Sequence, residues 1–252
     1  MKDLIKAHLN LYAVLQNLEE LGKLDESVGQ MTKDWDLTIQ FSVRNGPAAF
    51  VEFKGSACRH GRGAHPHPTV KLYFLSPGHL NRMFDGQGTP IPLKGFTRLG
   101  FLRKEFGALT KKLEYYLKPE EGRTYDAQYL RVNTTLTMYT AAYAVRELAL
   151  LEPTCKKVAA ATPPGIFQMG VMPSGPYAHL IFGPDGIEAR KGSAAAPTAL
   201  MTIKDLDAAN QLLNGKLDAF KAVGQGDVRL KGVMPIIDNV GLILDRVEAF
   251  LK

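Results

Sequence analysis

Met201-Thr-Ile-Lys-Asp-Leu206, Leu213-Asn-Gly-Lys-Leu-Asp-Ala-Phe220 and Asp227-Val-Arg-Leu-Lys-Gly232 are the stretches whose reading decides the fold. Met201 and Ile203 flank a polar residue in the alternation of a half-buried strand. Asp205 then stands where a helix needs a side-chain acceptor for its first free N–H groups. Asn214-Gly215 breaks that helix, and Val228 to Gly232 reads as the returning strand. Ile237, Val240 and Leu244 recur at helical spacing, which predicts an amphipathic closing helix to the C-terminus.

Working outward, the chain repeats itself. A shift of 129 positions lays Gly46-Pro47 on Gly175-Pro176, Ala49 on Ala178, Phe53 on Phe182 and Gly63 on Gly192. It also lays Pro68-Thr69 on Pro197-Thr198, Asn81 on Asn210 and Gly86 on Gly215. These identities fall at turns, strand starts and a helix end, where backbone geometry is demanding. After Gly86 the copies differ in length and rejoin at Leu93-Lys94-Gly95 and Leu230-Lys231-Gly232. The tails Leu113-Glu-Tyr-Tyr-Leu-Lys and Val247-Glu-Ala-Phe-Leu-Lys end both. The same shift places the first amphipathic helix, ending at Gly22, on Asn133 to Leu151, within a helix expected from about Tyr125. A repeat of this length is a domain duplication. We expect domains 1–119 and 120–252, joined by a linker over 119–124. Each is a helix, a meander of strands, a short helix, another strand and a long closing helix, with Cys58 to Pro68 a loop.

Ser174 to Lys252 resembles the sterol carrier protein type 2 domain. The resemblance rests on the polar residue after the strand, the Asn214-Gly215-Lys216-Leu217-Asp218 turn and the Leu230-Lys231-Gly232 strand end. It implies an α+β fold of two tandem sterol-carrier-like domains, each a mainly antiparallel sheet covered by helices. It further implies an apolar slot for a fatty acid, acyl-CoA or sterol-like lipid between sheet and closing helix. The expected ligand-binding residues are Phe182, Met201, Leu213, Phe220, Ile237, Val240 and Leu244. The first copy is the divergent one, since Gly86-Gln-Gly-Thr-Pro-Ile-Pro92 replaces the longer segment around Phe220.

Charge separates the copies as well. Residues 1–119 carry 17 Lys/Arg against 11 Asp/Glu, and residues 120–252 carry 14 of each. The excess predicts an anionic partner for the first copy, either a membrane surface or the charged head of a ligand. The expected contacts are Arg98, Arg103, Lys104, Lys111 and Lys112. Few aromatics interleave with these cations, so no nucleic acid is expected.

No uncharged run approaches the roughly 20 residues of a spanning helix. Val132 to Val145, rich in Thr and Ala, is the longest notable one. Cys58 and Cys155 are far apart and form no CxxC pair, and the N-terminus reads as no secretory signal. A reduced, cytoplasmic protein is therefore expected. Cys58, His60, His65 and His67 crowd one stretch, yet it is broken by Gly and Pro and its counterpart at Ile187 to Ala196 has neither His nor Cys. No metal is expected. There is no P-loop, GxSxG, HExxH or dinucleotide fingerprint. Glu120-Glu121 reads as linker charge, so neither a catalytic residue nor a cofactor is expected. The sequence predicts a non-enzymatic binding protein. Its alternative is a structural or regulatory module with filled cores and a basic partner-binding face.

Overall fold

The computed structural model describes residues 1–120 and 125–251. The expected linker over 119–124 lies mostly outside the described residues. Two compact units are found, Met1–Lys118 and Pro119–Lys252.

The first unit opens with a helix in four registers: α1 (Lys2–Leu9), a π turn (Asn10–Val14), a 3-10 turn (Leu15–Asn17) and α2 (Leu18–Leu24). α3 (Glu26–Thr32) follows, an element not expected from the sequence between the first helix and the strands. Gly22 is accordingly no helix end. A Cβ at Gly29 would meet the Gly22 carbonyl at 2.9 Å, so the two glycines let α2 and α3 approach closely. Next come β1 (Asp36–Val43), β2 (Ala48–Lys54), β3 (Ala57–Arg62), β4 (Val70–Phe74), α4 (Pro77–Phe84) and β5 (Ile91–Lys94). The closing helix is built of α5 (Leu99–Phe101), a π segment (Leu102–Phe106) and α6 (Gly107–Leu117).

The second unit has α7 (Ala127–Leu151), α8 (Pro153–Ala160), β6 (Gly165–Val171), β7 (Tyr177–Gly183) and β8 (Gly186–Lys191). β9 (Ala199–Ile203), α9 (Leu206–Leu213), α10 (Ala219–Gln225), β10 (Val228–Gly232) and α11 (Met234–Leu251) complete it. The strand orders match across the repeat: β3-β2-β1-β4-β5 and β8-β7-β6-β9-β10. The fold is thus α+β, twice over, with mainly antiparallel sheets.

The strands are not a simple meander. β4 lies parallel to β1, and β9 parallel to β6, on the side away from the hairpin partner. The chain must therefore cross the sheet between β3 and β4. A buried glutamine pins that crossing in each unit. Gln40 Oε1 accepts from the His65 N–H at 2.7 Å, while its Nε2 donates to the carbonyls of Ala49 and Gly63. Gln168 Oε1 accepts from the Ala194 N–H at 2.7 Å. At Gly63, His65 and Ala194 these amides satisfy backbone of the crossing that lies beyond the paired strands.

The expected loop at Cys58 is largely strand β3, paired with β2 from Ala57 to Arg62. Its composition hides it because alternate side chains serve the first helix and not a core. His60 Nε2 donates to the Leu11 carbonyl at 2.8 Å, and the Arg62 guanidinium lies 3.9 Å from the Tyr12 ring centroid.

One more repeated device fixes the closing helices. Asp25 caps α3, accepting from the Ser27 N–H at 2.9 Å and the Ser27 hydroxyl at 2.6 Å. The Tyr116 hydroxyl donates to its other oxygen at 2.9 Å and Lys112 Nζ approaches to 3.5 Å. Glu152 caps α8 through the Cys155 N–H at 2.7 Å and takes Arg246 of α11 at 3.0 Å. Burial works to raise both carboxyl pKa values, but the donors overcome it and hold both below the ordinary carboxylate range.

A carboxyl lowered in the folded state stabilises fully above its unfolded pKa, about 3.9 for Asp and 4.3 for Glu. That stability is lost as pH falls through the folded value. The urea midpoint should therefore drop between pH 5 and pH 3, and drop less in an Asp25→Asn/Glu152→Gln double variant, which keeps the caps but cannot titrate there. Equal losses in both proteins would show that the carboxylates hold nothing.

Candidate ligand-binding site

In the second unit the pleat sends Phe167, Met169, Leu180, Phe182, Met201 and Ile203 to one face of the sheet, as the pairings Phe167 with Leu180 and Met169 with Met201 require. α7 covers this face over β7 and β8, and α11 covers it over β6, β9 and β10. Phe182 is buried and Met201 half-buried. Ile237 and Val240 are buried on α11, and Leu244, one turn on, is half-buried. Five of the seven expected ligand-binding residues thus belong to this face or to the helix packed upon it. Leu213 is half-buried at the last turn of α9, which packs on α7 and β9.

Phe220 is not brought to this face, being 89% exposed. Asp218 caps α10 by accepting from the Lys221 N–H at 3.0 Å, and Ala222 becomes that helix's buried residue. Two residues span about 200° of helix. Phe220 consequently points away from whatever Ala222 touches.

The corresponding face of the first unit is filled with rings. Trp35 lies edge-on to Phe53 at 5.0 Å and to Phe101 at 4.7 Å, and Phe53 meets Phe106 at 6.4 Å. Phe53 corresponds to Phe182. Trp35, just before β1, corresponds to Pro163 just before β6. Matching the closing helices on Glu114 with Glu248 and Lys112 with Arg246 sets Val240 in the place of Phe106. Leu37, paired with Phe53, becomes Gly165, paired with Phe182. A Cβ at Gly165 would meet Ile236 Cδ1 at 2.7 Å, so the aliphatic helix settles directly on that glycine. Among the described residues no ring contact joins Phe182. One unit is closed by an aromatic plug, and the other meets its helix through aliphatic side chains.

Of the expected anionic contacts, Arg98, Arg103, Lys104 and Lys111 are exposed. Lys112 turns toward Asp25, so it belongs to the helix anchor. Sequence reading missed the anchor because Asp25 and Lys112 look like ordinary surface charges; the recurrence of an acid before each short helix and a cation on each closing helix was the available signal.

Among the described residues no three His, Cys, Asp or Glu side chains gather as for a metal ion. His60 lies on the helix side of the first sheet, whereas His65 packs on the Phe50 ring at 4.9 Å on the opposite face. The Cys155 thiol is buried and pushed up to about 12, first by burial and then by its contact with Glu152, so it stays protonated at neutral pH. No described helix is long and apolar enough to cross a membrane.

No protein-family model matches the chain, and no curated protein matches it. Solved structures similar to it include the sterol carrier protein domain 2 of Helicoverpa armigera, at 15% identity and a TM-score of 0.36, covering 46% of this chain and 91% of that one. A ubiquinone synthesis protein described as UbiJ-SCP2 is similar at 11% identity and 0.35, covering 44% and 96%. Apo sterol carrier protein 2 of Yarrowia lipolytica is similar at 20% and 0.31, covering 41% and 92%.

The contrast between the two faces predicts unequal costs of truncation. Phe106→Ala should destabilise the first unit by about 3 kcal/mol or more, whereas Val240→Ala should cost about 1 kcal/mol. Urea unfolding of the two variants checks this; Phe106→Ala removes six carbons and Val240→Ala two, so a Val240→Ala loss well above about 1 kcal/mol would mean that the second face is packed at least as tightly as the first.

Proposed function

We propose that the chain is a tandem pair of sterol-carrier-like domains acting as a non-enzymatic, cytoplasmic carrier of an apolar ligand such as a fatty acid, acyl-CoA or sterol-like lipid. The second unit takes the ligand between the helix-covered face of its sheet and α11, against Phe182, Met201, Ile237, Val240 and Leu244. The first unit supplies a basic surface that meets an anionic membrane or the ligand's charged head.

The observation that carries this reading is the replacement of the aromatic plug. Where Trp35, Phe101 and Phe106 lock the first closing helix onto Phe53, the second rests on Gly165 through the aliphatic Ile236, and no ring among the described residues joins Phe182. Apolar pockets lined by such side chains and Met adapt readily to a flexible hydrocarbon. Burial of an acyl chain contributes about 0.8 kcal/mol per methylene. Roughly ten methylenes therefore match the 8 kcal/mol or so of micromolar binding, before ordering costs. The sequence resemblance over Ser174 to Lys252 supports the same site. Phe220 has no part in it in this conformation.

Native mass spectrometry of freshly purified protein, followed by organic extraction, tests the proposal. A stoichiometric lipid adduct is expected in the wild type. Val240→Phe, which restores the ring found at Phe106, should remove the adduct and leave the urea midpoint unchanged or raised, since the ring fills the ligand's space. A loss of about 1–3 kcal/mol in that variant, with no adduct in the wild type even after added fatty acid, would instead mark an overpacked, already filled core and end the carrier reading.

A further inference from the structure

We infer that Ile91 to Lys104 of the first unit is a membrane-docking element, which lays apolar side chains among the headgroups of an anionic phospholipid bilayer while its cations pair with the phosphates. The inference rests on the preceding reading only in taking the basic surface as a contact surface. It commits that surface to the bilayer and gives it an inserting part.

Three observations carry it. β5 is the outer strand of its sheet, and the chain runs from it directly into the closing helix. Along this run Leu93 is 50% exposed, Phe96 63% and Leu99 42%, with Ile91 exposed beside them. A single exposed apolar residue needs no explanation, but four within nine residues concentrate apolar exposure on one short run. Lys94, Arg98, Arg103 and Lys104 are exposed in and beside it.

The duplication supplies an internal control. The equivalent run of the second unit also exposes apolar side chains, Val233 and Met234, where β10 passes into α11. Charge is what differs. Residues 91–118 hold seven Lys/Arg against two Asp/Glu, whereas residues 228–252 hold four against three. Apolar exposure at this corner is common to both copies, and a cationic setting belongs to one alone. A small soluble anion would use the cations and leave the apolar patch wet. A second copy of the chain would need a matching acidic face, and the equivalent corner of the other unit has no acidic excess. An anionic leaflet satisfies both features at once, because each cation near such a surface contributes about fivefold to binding and the apolar side chains reach the acyl boundary.

The test uses the full chain and sedimentation with vesicles of phosphatidylcholine alone or mixed with phosphatidylserine. Binding is expected only to the mixed vesicles and should weaken with salt. Arg98→Glu/Arg103→Glu/Lys104→Glu should reduce it at least about tenfold, given roughly fivefold per cation. These side chains are exposed, so circular dichroism should show the fold intact. Insertion is read from Phe96→Trp, whose indole emission should shift to the blue and be quenched by bromine-labelled acyl chains. Val233→Trp in the second unit should show neither change. Absence of binding, binding indifferent to the charge reversal, or binding with the Phe96→Trp indole unquenched would each overturn the inference. Lipid adducts in native mass spectrometry are read separately, so loss of vesicle binding with the adduct retained defeats the docking element and spares the carrier.

Discussion

Each unit hangs on a buried carboxylate that ties three helices together. Asp25 and Glu152 each cap a short helix immediately after the long first helix, and each receives a cation from the closing helix, Lys112 or Arg246. Removing a carboxylate from water is costly unless its lone pairs are occupied. Here the capped N–H groups, the Ser27 and Tyr116 hydroxyls and the cations occupy them. The consequence is geometric. The closing helix cannot slide along the sheet without leaving a charge buried and alone, so its position over the sheet face is set before any apolar side chain is chosen. The candidate site lies beneath that helix, and its width depends on what the helix then rests upon.

Two solutions to the same geometry appear in one chain. In the first unit rings fill the interval, and the helix, with a π segment at Leu102–Phe106, presents Phe101 and Phe106 inward. In the second, a regular helix settles through Ile236 on Gly165, the residue paired with Phe182. Dense aromatic packing gives a rigid core, whereas branched aliphatic and thioether side chains repack at lower cost. Duplication frees one copy to hold shape and present a charged surface while the other keeps an adaptable interior. The charge excess of residues 1–119 agrees with that division.

Much of this was legible in the residues. The Asp205 cap, the Asn214-Gly215 break and the alternation of Met201 and Ile203 located α9, β9 and β10, and the internal repeat assigned the first unit from the second. What escaped did so for physical reasons. β3 reads as loop because His60 and Arg62 serve a helix rather than an apolar core. The parallel placement of β4 beside β1 leaves no local trace, since it depends on a crossing held by Gln40. That glutamine and Gln168 are equivalent, but the offset of 129 passes over them: the β6–β7 hairpin has one residue more than the β1–β2 hairpin, so the first strands match at 128. Phe220 looked like a lining residue because it is large and apolar, and only the cap at Asp218 decides which way its helix turns. The filled or adaptable character of each face was also hidden, since Trp35, Phe53 and the Phe101–Phe106 stretch are distant in sequence and meet only in the fold.

The central claim is that the two copies have diverged into a closed unit and a ligand-taking one. Amide chemical-shift mapping on labelled, delipidated full chain during titration with a long-chain fatty acid addresses it directly. The account predicts saturable, one-to-one shifts confined to the second unit, strongest around Phe182, Met201, Val240 and Leu244, with the Trp35–Phe53–Phe106 region unmoved. Shifts centred on the first unit, equal in both, or absent at saturating fatty acid would contradict it.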